Sequence, residues 1–457
     1  MTSQDFREYG KQLIDWIADY YDSLEDRDIM PSVAPGDIRA MLPDTAPEQG
    51  EPFEEVLADL DRVVMPGITQ WQAPGWFGYF PANASFPAIL GELASAGLAQ
   101  QGMMWGTSPA TTEVEAHVLD WLVDLLGVPQ DWKTTAKGGG VLQMSASDST
   151  HTALVVAAEQ AGSDRSRLVA YASAQAHSSI EKGARVAGYG QVRLIATEAG
   201  THAMSPAALQ TAISHDIADG LVPTFVCAAV GTTGTTAVDP VRAVAQIGRQ
   251  HGGWVHVDAA YAGSAMICPE FRHHQDVLEL VDSYTFNPHK WLLTNFDCSV
   301  FWVADRKPLI DTLSILPPYL ADQARPGVAI DYRDWHVPLG RRFRALKLWF
   351  VIRSYGAEGL RSYIRDHVRL AQWLAGQVAA DDRLELVAPT PFGLVCFAHV
   401  EGDQATEDLA AAIVASGTSY LATSIIEGRR FIRVSIGSTT TKQRHIERLW
   451  DLIRAAV

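Results

Sequence analysis

An acid and a lysine stand at the ends of two short apolar runs in the middle of the chain. Asp258 follows the run 254–257, and Lys290 follows the run 284–286 within Asn-Pro-His-Lys-Trp. Because ligands of open parallel sheets lie at the carboxyl ends of strands, both side chains are placed to meet one. A lysine that forms an imine with an aldehyde, and an acid that keeps a pyridine nitrogen protonated, together suit pyridoxal phosphate. Alone, a strand-end aspartate is usually a cap and a single lysine is usually solvated.

The phosphate of such a cofactor needs a group of hydrogen-bond donors. Gly138, Gly139 and Gly140 precede a run that opens a helix, with Ser145 and Ser147 at its start. Backbone N–H groups at a helix start, together with serine hydroxyls, form an anion site. An ordinary serine N-cap explains the same residues equally well. The stretch is not a P-loop, because no Gly-Lys-Ser/Thr follows the glycines.

The histidines raise two possibilities. His177 follows the strand predicted at 168–172, where an imidazole stacked on a cofactor ring could hold that ring and relay a proton. A lone histidine at a strand end is nevertheless more often structural. Metal binding is the alternative for four others, and none of them fits an HExxH pattern or a Cys/His ligand spacing: His256, His273, His274 and His289. We therefore expect no metal site, and a core position for His256.

Strand and helix patterns alternate through the middle of the chain. The predicted strands are 168–172, 192–196, 225–230, 254–257, 284–286 and 299–303, and the predicted helices are 147–161, 205–218 and 240–251. This alternation predicts an α/β fold with a largely parallel sheet covered on both faces. After about residue 340 we expect a small α+β unit. It comprises a long helix at 340–380, strands at 384–387, 393–398 and 431–435, and helices at 404–416 and from 441.

The N-terminal segment predicts two helices, 5–23 and 53–64, joined by a proline- and acid-rich connection. Two helices make a poor core, so we expect them to pack on another domain or another chain. The predicted domains are the N-terminal helical segment 1–85, the large cofactor-binding α/β domain 86–345 and the C-terminal α+β domain 346–457. Residues 317–331 are polar and rich in turn formers, which predicts a mobile surface loop.

Composition narrows the classes of partner. The chain has 457 residues and a formal net charge of −17, which disfavours nucleic acid and anionic membranes as partners. The most apolar long stretch, 86–105, is too polar to span a bilayer. The four cysteines fit neither a disulfide framework nor a CxxC metal pair, so we expect buried free thiols. The N-terminus lacks a signal-peptide pattern, and the expectation is a cytoplasmic protein.

Several continuous stretches resemble a known family. They are His-Val-Asp-Ala-Ala-Tyr-Ala-Gly-Ser-Ala from His256, Phe-Asn-Pro-His-Lys-Trp-Leu-Leu from Phe286, and Asn-Phe-Asp-Cys from Asn295. The sequence resembles the group II pyridoxal-phosphate decarboxylases, and within them the aromatic L-amino acid decarboxylases, over essentially the whole chain. The resemblance implies the fold of type I pyridoxal-phosphate-dependent transferases and a homodimer whose active sites lie at the subunit interface.

The resemblance also implies a role for individual residues. Lys290 matches the Schiff-base lysine, Asp258 the acid at the pyridine nitrogen, and His177 the histidine stacked on the ring. Ala260 matches the small residue beneath the ring, and Thr233 the threonine near the ring hydroxyl. The residues that match the phosphate contacts are Ser145, Ala146, Ser147, Asn287 and His289.

One further match concerns the type of reaction. Tyr319, in Pro-Pro-Tyr-Leu, matches the tyrosine of the family's mobile catalytic loop. Loss of CO2 leaves a carbanion, and a phenol on a closing loop can protonate the substrate carbon and exclude water. Family members with phenylalanine at this position tend to be aldehyde synthases. Tyr319 and His177 together therefore favour plain decarboxylation.

The substrate side chain is addressed by matches to the family's pocket. The aromatic wall of that pocket is matched by Trp71, Tyr79, Phe80 and Pro81. Ala82 replaces a frequent threonine, Met103 replaces a usual aromatic residue that reaches in from the other subunit, and Gly340 matches a position where glycine tolerates bulky rings. Arg341 matches a residue near substrate and phosphate. These features favour tryptophan or a broad aromatic range that includes phenylalanine, tyrosine, dopa and 5-hydroxytryptophan.

Three alternatives stay open at this point. An aromatic aldehyde synthase is disfavoured by Tyr319. A decarboxylase of an acidic or imidazole amino acid would want a basic or polar group where the wall and Gly340 stand. A catalytically inactive relative would need a lesion in the site, and Lys290, Asp258 and His177 are all present.

Overall fold

A mixed seven-stranded sheet forms the centre of the computed structural model, which describes residues 1–162, 164–315 and 329–457. Its strands are β1 (Gly139–Gln143), β2 (Leu168–Ser173), β3 (Gln191–Ile195), β4 (Val222–Ala229), β5 (Trp254–Asp258), β6 (Ser283–Phe286) and β7 (Ser299–Val303). They lie in the order β1-β7-β6-β5-β4-β2-β3. The pairs of β7 with β1 and with β6 are antiparallel, and the other pairs are parallel. The predicted strands are all present, so the largely parallel sheet is confirmed.

The helices surround this sheet and continue beyond it. In chain order they are α1 (Ser3–Asp22), α2 (Asp37–Met41), α3 (Phe53–Asp59), α4 (Phe86–Leu98), α5 (Pro109–Leu126), α6 (Ala146–Ala161), α7 (Ser179–Ala187), α8 (Pro206–Ala218), α9 (Val241–Gln250), α10 (Pro288–Trp291), α11 (Arg306–Leu313), α12 (Arg344–Ala379), α13 (Asp403–Ala415) and α14 (Gln443–Ala456). The predicted helix 53–64 is α3 followed by a π-helical turn at Leu60–Val64. The long α12 is kinked at Gly356, whose φ is 64°.

Alternation along β4 explains why both faces of the sheet are covered. Val226 and Ala228 belong to the core that contains α5, α8, α9 and the first half of α12. Phe225 and Cys227 belong to the opposite core, with α6, α7 and α11. Successive side chains of a strand point to opposite faces, so a strand that is apolar at every position must be buried on both.

A four-stranded antiparallel sheet completes the C-terminal part of the described chain. It contains β8 (Leu384–Leu386), β9 (Leu394–His399), β10 (Ala422–Ile426) and β11 (Arg429–Ser435), in the order β10-β11-β9-β8. The second half of α12, together with α13 and α14, packs on it. The small α+β unit is thus confirmed, although β10 was not predicted. The boundaries at 85 and 345 stay a prediction, and α12 runs across the second of them.

Two glycines of the run before Ser145 belong to a strand that was not predicted. Gly139 and Gly140 belong to β1, which is fully buried. A Cβ at Gly140 would lie 2.6 Å from the ring of Trp302, and one at Gly139 would lie 2.6 Å from that of Trp335. These glycines therefore allow two tryptophans to pack closely against the strand.

The segment before α4 joins the two sheets. Ser435 of β11 donates its N–H to the carbonyl of Phe77 (2.9 Å). Asn83 donates its N–H to the carbonyl of His289 (2.9 Å), and its Nδ2 donates to the carbonyl of Gly437 (2.8 Å). An early part of the chain is thereby fixed between the C-terminal sheet and α10.

Two remaining expectations concern cysteines and the loop. All four cysteines are buried and free, as predicted. In the described ranges no helix is long and apolar enough to cross a membrane. The predicted loop 317–331, with Tyr319, lies outside the described residues apart from its last three positions.

Candidate active site

A cavity opens where strands β2, β4, β5 and β6 end. Its empty volume is about 690 Å³, part of it open to solvent, which is the size of a typical small-molecule site. Every predicted catalytic or cofactor residue within the described ranges lines it. These are Ser145, Ala146, Ser147, His177, Thr233, Asp258, Ala260, Asn287, His289 and Lys290. The topology thus brings together residues that are up to 145 positions apart, between 145 and 290.

Lys290 is presented by a single helical turn. Asn287 precedes α10, its carbonyl accepts the N–H of Lys290 (3.0 Å), and Pro288 fixes the first helical position. The neighbouring Trp291 is buried and donates its Nε1–H to Nδ1 of His367 (3.0 Å) on α12. Desolvation lowers the pKa of the Lys290 ammonium, and Asp258 partly opposes this shift. A lower pKa increases the fraction of Lys290 that is present as the neutral, nucleophilic amine.

Asp258 is held between two neighbouring strands. It ends β5 opposite Thr285 of β6, and its carbonyl accepts the N–H of Val230 after β4 (2.8 Å). Its Oδ1 accepts the N–H of Ala260 (2.9 Å), which fixes the orientation of the carboxylate at the cavity wall. A negative charge is therefore positioned at the base of the cavity.

His177 is oriented by the start of α7. Its Nδ1 accepts the N–H of Ser179 (3.1 Å), so a neutral ring carries its proton on Nε2. Desolvation lowers the pKa of His177, and Lys290 lowers it further, whereas Asp258 raises it. The imidazole is accordingly neutral at pH 7 and can act as a hydrogen-bond donor through Nε2.

His289 is a second neutral imidazole on the cavity wall. Its Nδ1 accepts the N–H of Cys298 (2.9 Å), which leaves the proton on Nε2. Burial, with Lys290 as the next cause, lowers the pKa of His289 to about 3. Phe296 lies against its ring, with 4.4 Å between the centroids.

The start of α6 combines both interpretations of Ser145. Its hydroxyl caps the helix by accepting the N–H of Asp148 (3.2 Å), and Ala146 and Ser147 form the first turn at the cavity. The N-terminal end of a helix favours an anion. Burial raises the pKa of Asp148 in the same turn, which favours its protonated form beside such an anion.

The residues present fit pyridoxal phosphate. Lys290 can bind an aldehyde, Asp258 can pair with a protonated ring nitrogen, and a helix N-terminus can receive a phosphate. The Oδ1 of Asn287 is buried beside Lys290 without a hydrogen-bond partner among the described residues, and so remains available to a ligand. Each part of the cofactor finds a group of matching chemistry.

Residues 35–400 match the family model described as the pyridoxal-dependent decarboxylase conserved domain. The chain belongs to this family. It is a pyridoxal-phosphate-dependent carboxy-lyase, so the predicted enzyme class and cofactor are confirmed.

Relatives in this family cover nearly the whole chain. It is 43% identical to phenylacetaldehyde synthase of Arabidopsis thaliana, over 99% of this chain and 96% of that protein. It is 41% identical to aromatic-L-amino-acid decarboxylase of Rattus norvegicus, over 99% and 98%. A crystal structure of Oryza sativa TDC with PLP and tryptamine matches with a TM-score of 0.96 and 39% identity, over 100% and 98%. The decarboxylase fold predicted from the resemblance is confirmed.

Of the residues predicted to contact the substrate, Phe80 alone belongs to the described lining of the cavity in a single chain. Trp71 and Tyr79 form an exposed stacked pair nearby, with 5.8 Å between ring centroids.

The other residues predicted to contact the substrate make contacts within the protein. Pro81 packs against Gly437, and the Ala82 carbonyl accepts a hydrogen bond from Gln72. The Met103 carbonyl accepts the N–H of Arg333, and Gly340 lies beside Gln101. Their substrate contacts stay predictions.

Arg341 is buried in the single chain, and its predicted place near substrate and phosphate stays a prediction. Its guanidinium is fully buried and binds Oε1 of Glu115 (2.5 Å) and the carbonyl of Leu142 (3.1 Å). It also lies 4.6 Å above the ring of Tyr332. In the single chain this side chain is committed to the protein interior, and no described contact leads from it into the cavity.

Two aromatic residues of the cavity were not predicted. Tyr261 stacks on Phe80 with 3.8 Å between the ring centroids, and its other face lies on Trp291 at 4.6 Å. Phe296 lines the opening. Both lie within the stretches that resemble the family, but nothing in their local pattern separates a cavity aromatic from a core aromatic.

Proposed function

We propose that this enzyme decarboxylates aromatic L-amino acids to arylethylamines and CO2, with tryptophan or a broad aromatic range as substrates. The observation that carries the proposal is the cavity in which Lys290, Asp258 and His177 meet beside Phe80. The ammonium of Lys290 lies 5.6 Å from the centroid of that ring, so an apolar aromatic surface borders the proposed reacting centre. The names of the relatives, an aromatic-L-amino-acid decarboxylase among them, support the same substrate class.

The proposed roles follow from the geometry of the side chains. When bound, pyridoxal phosphate supplies an aldehyde that links to amines and a cationic ring that accepts the electron pair left by CO2. Lys290 would hold the aldehyde carbon, and Asp258 would keep the ring nitrogen protonated. His177 would lie on the ring face and donate from Nε2. The phosphate would be held by Ser145, Ala146, Ser147, Asn287 and His289, with Thr233 and Ala260 beside the ring.

Tyr319 is the proposed proton donor to the substrate carbon, on the sequence argument alone. We expect Tyr319→Phe to shift products from amine toward aldehyde, ammonia and peroxide, because a carbanion without its proton source passes two electrons to dissolved O2, and water then releases the aldehyde and ammonia. Amine and peroxide, measured together in one assay, decide this. A variant that still forms amine alone would contradict the role.

An aromatic aldehyde synthase is the second candidate, and a specific observation favours it. The phenylacetaldehyde synthase is at least as similar to this chain as the decarboxylases named above. The presence of tyrosine at 319 favours the decarboxylase. Stoichiometric peroxide from the wild-type enzyme would reverse this order.

We also propose a cytoplasmic homodimer with shared active sites. The exposed face of α4 presents Phe86, Leu90 and Leu93, which are 51%, 47% and 48% exposed and lie on one side of the helix. An apolar stripe of this size is suited to a second copy of the chain. Met103 and Gly340 are the residues proposed to reach the neighbouring cavity. The buried free thiols suit a reducing compartment.

A substrate panel tests the proposal. The purified holoenzyme is incubated separately with Trp, Phe, Tyr, dopa, 5-hydroxytryptophan, His and Glu, and amine, CO2 and peroxide are measured. We expect amine from the aromatic substrates alone. Lys290→Ala should remove both the activity and the visible absorbance that borohydride fixes to the protein. Turnover confined to Glu or His would reject the aromatic assignment.

A further inference from the structure

The exposed aromatic pair near the cavity rests on a second aromatic layer from the C-terminal part of the chain. Tyr420, between α13 and β10, stacks on the buried Trp76 with 4.8 Å between centroids and 7° between planes. Trp76 in turn contacts Trp71 at 4.4 Å and Tyr79 at 6.0 Å. The two exposed rings are therefore supported from behind by the buried Trp76, which is itself stacked on the half-buried Tyr420.

Backbone hydrogen bonds fix the position of this second layer. The N–H of Tyr420 donates to the carbonyl of Gly75 (3.0 Å), and its carbonyl accepts the N–H of Phe77 (3.0 Å). The Tyr420 backbone is thus held on both sides by the segment that carries Trp76. A ring attached to so constrained a backbone transmits its own position to the rings stacked on it.

Tyr420 and Tyr79 are also in direct contact. Their centroids are 6.4 Å apart, and burial, followed by Tyr79 through its charge and a hydrogen bond, raises the pKa of the Tyr420 phenol. A Cβ at Gly78 would lie 2.5 Å from two ring atoms of Tyr420. The absence of a side chain at Gly78 is what allows the Tyr420 ring to reach Tyr79.

We infer that Tyr420 is a positioning residue that sets the selectivity for the size of the substrate ring, by holding Tyr79 directly and Trp71 through Trp76. The inference rests on the proposed function, because it takes Trp71 and Tyr79 as part of the substrate wall. Tyr420 itself does not touch the cavity. It acts on binding of the ring and leaves the groups at the reacting carbon unchanged.

The test compares Tyr420→Ala and Tyr420→Phe with the wild-type holoenzyme, using tryptophan and phenylalanine. An aromatic pair or a hydroxyl hydrogen bond corresponds to about 2–10-fold in binding. We expect Tyr420→Ala to change the ratio of the two kcat/KM values about fivefold or more, through KM, with kcat within about twofold. Tyr420→Phe keeps the stack and should change the ratio about two- to threefold. Calorimetric Kd values for tryptamine and phenylethylamine should change in parallel.

The matched control is Tyr189→Phe. Tyr189 is a buried tyrosine whose hydroxyl donates to the carbonyl of Leu154 (2.9 Å), away from the wall. Tyr189→Phe also loses one tyrosine hydroxyl hydrogen bond. The ratio of the two kcat/KM values should therefore stay at the wild-type value. A ratio unchanged in Tyr420→Ala, or kcat reduced equally for both substrates, overturns the inference.

A second variant keeps the test decisive if Tyr420→Ala fails to fold. Gly78→Ala alone should displace the Tyr420 ring and shift the ratio, and an unchanged ratio would overturn the inference. Where Tyr420→Ala folds, adding Gly78→Ala to it should change the ratio no further. Additive effects would overturn the inference. If the wild-type enzyme acts on no aromatic amino acid, the proposed function fails. If the wild-type enzyme acts on aromatic amino acids but the ratio does not change in the Tyr420 variants, the inference alone fails.

Discussion

The buried pair of Glu115 and Arg341 makes a prediction that can be worked from the structure. Both side chains are fully buried, and Oε1 of Glu115 also accepts the N–H of Leu142 (2.8 Å). Glu115→Gln keeps the shape and an acceptor oxygen but removes the negative charge. Breaking a buried ion pair from one side costs about 3–5 kcal/mol, because the remaining charge is uncompensated.

The remaining contacts of Arg341 set the expected value within that range. Its guanidinium keeps carbonyl acceptors at Gly102 and Leu142 and the ring of Tyr332. We therefore expect the lower end, about 3 kcal/mol, or about a hundredfold in the unfolding equilibrium constant. Urea unfolding of the holoenzyme at a fixed cofactor concentration measures this as a shift of the midpoint.

A matched control and a double variant complete the design. Glu270→Gln removes the same charge from an exposed pair with Arg365 and should cost about 0–1 kcal/mol. Glu115→Gln combined with Arg341→Met should be more stable than Glu115→Gln alone, since the uncompensated charge is gone. A Glu115→Gln midpoint equal to that of the Glu270→Gln control would refute the assignment of Arg341 to the interior.

Two further predictions concern stability. Burial lowers the pKa of His256 to about 4 and that of His289 to about 3. The contribution of these two histidines to the free energy of unfolding is therefore complete above about pH 6.5. It is lost as the pH falls toward the two pKa values, by up to about 1.4 kcal/mol per residue and pH unit. Burial raises the pKa of Asp239 to about 6, so its contribution to stability has the opposite pH dependence. Because the two histidines dominate, the urea midpoint should fall between pH 7 and pH 5. A rise of the midpoint over this range would contradict the prediction. Gly140→Ala should cost about 1–3 kcal/mol because its Cβ would meet Trp302 at 2.6 Å, and an unchanged melting temperature would contradict the close packing.

Local pattern was sufficient for most of the fold and for the centre of the site. Strands such as 299–303 are apolar at all but the first position, so their length is visible in the sequence. Lys290, Asp258 and His177 each follow such a strand, and strand ends of a parallel sheet meet at one edge. The site could therefore be assembled before any contact was known.

The sequence is least informative where distant partners decide the outcome. Strand β1 was not predicted, because nothing near Gly140 reveals that Trp302 will lie against it. Arg341 pairs with Glu115, which is 226 residues away in the sequence. No local pattern around either residue predicts this ion pair. Tyr261 and Phe296 are aromatic residue types that are common in protein cores. That they border a cavity is visible only in the fold.

The bonds of Asn83 have a consequence for the order of events during synthesis. Its side-chain Nδ2 donates to the carbonyl of Gly437, 354 residues later, while its backbone N–H donates to the carbonyl of His289, next to Lys290. A nascent chain cannot make the first bond until residue 437 has left the ribosome. Loop closure over such a separation is slow. The segment that fixes the Lys290 turn is therefore fully anchored only after residue 437 has reached it.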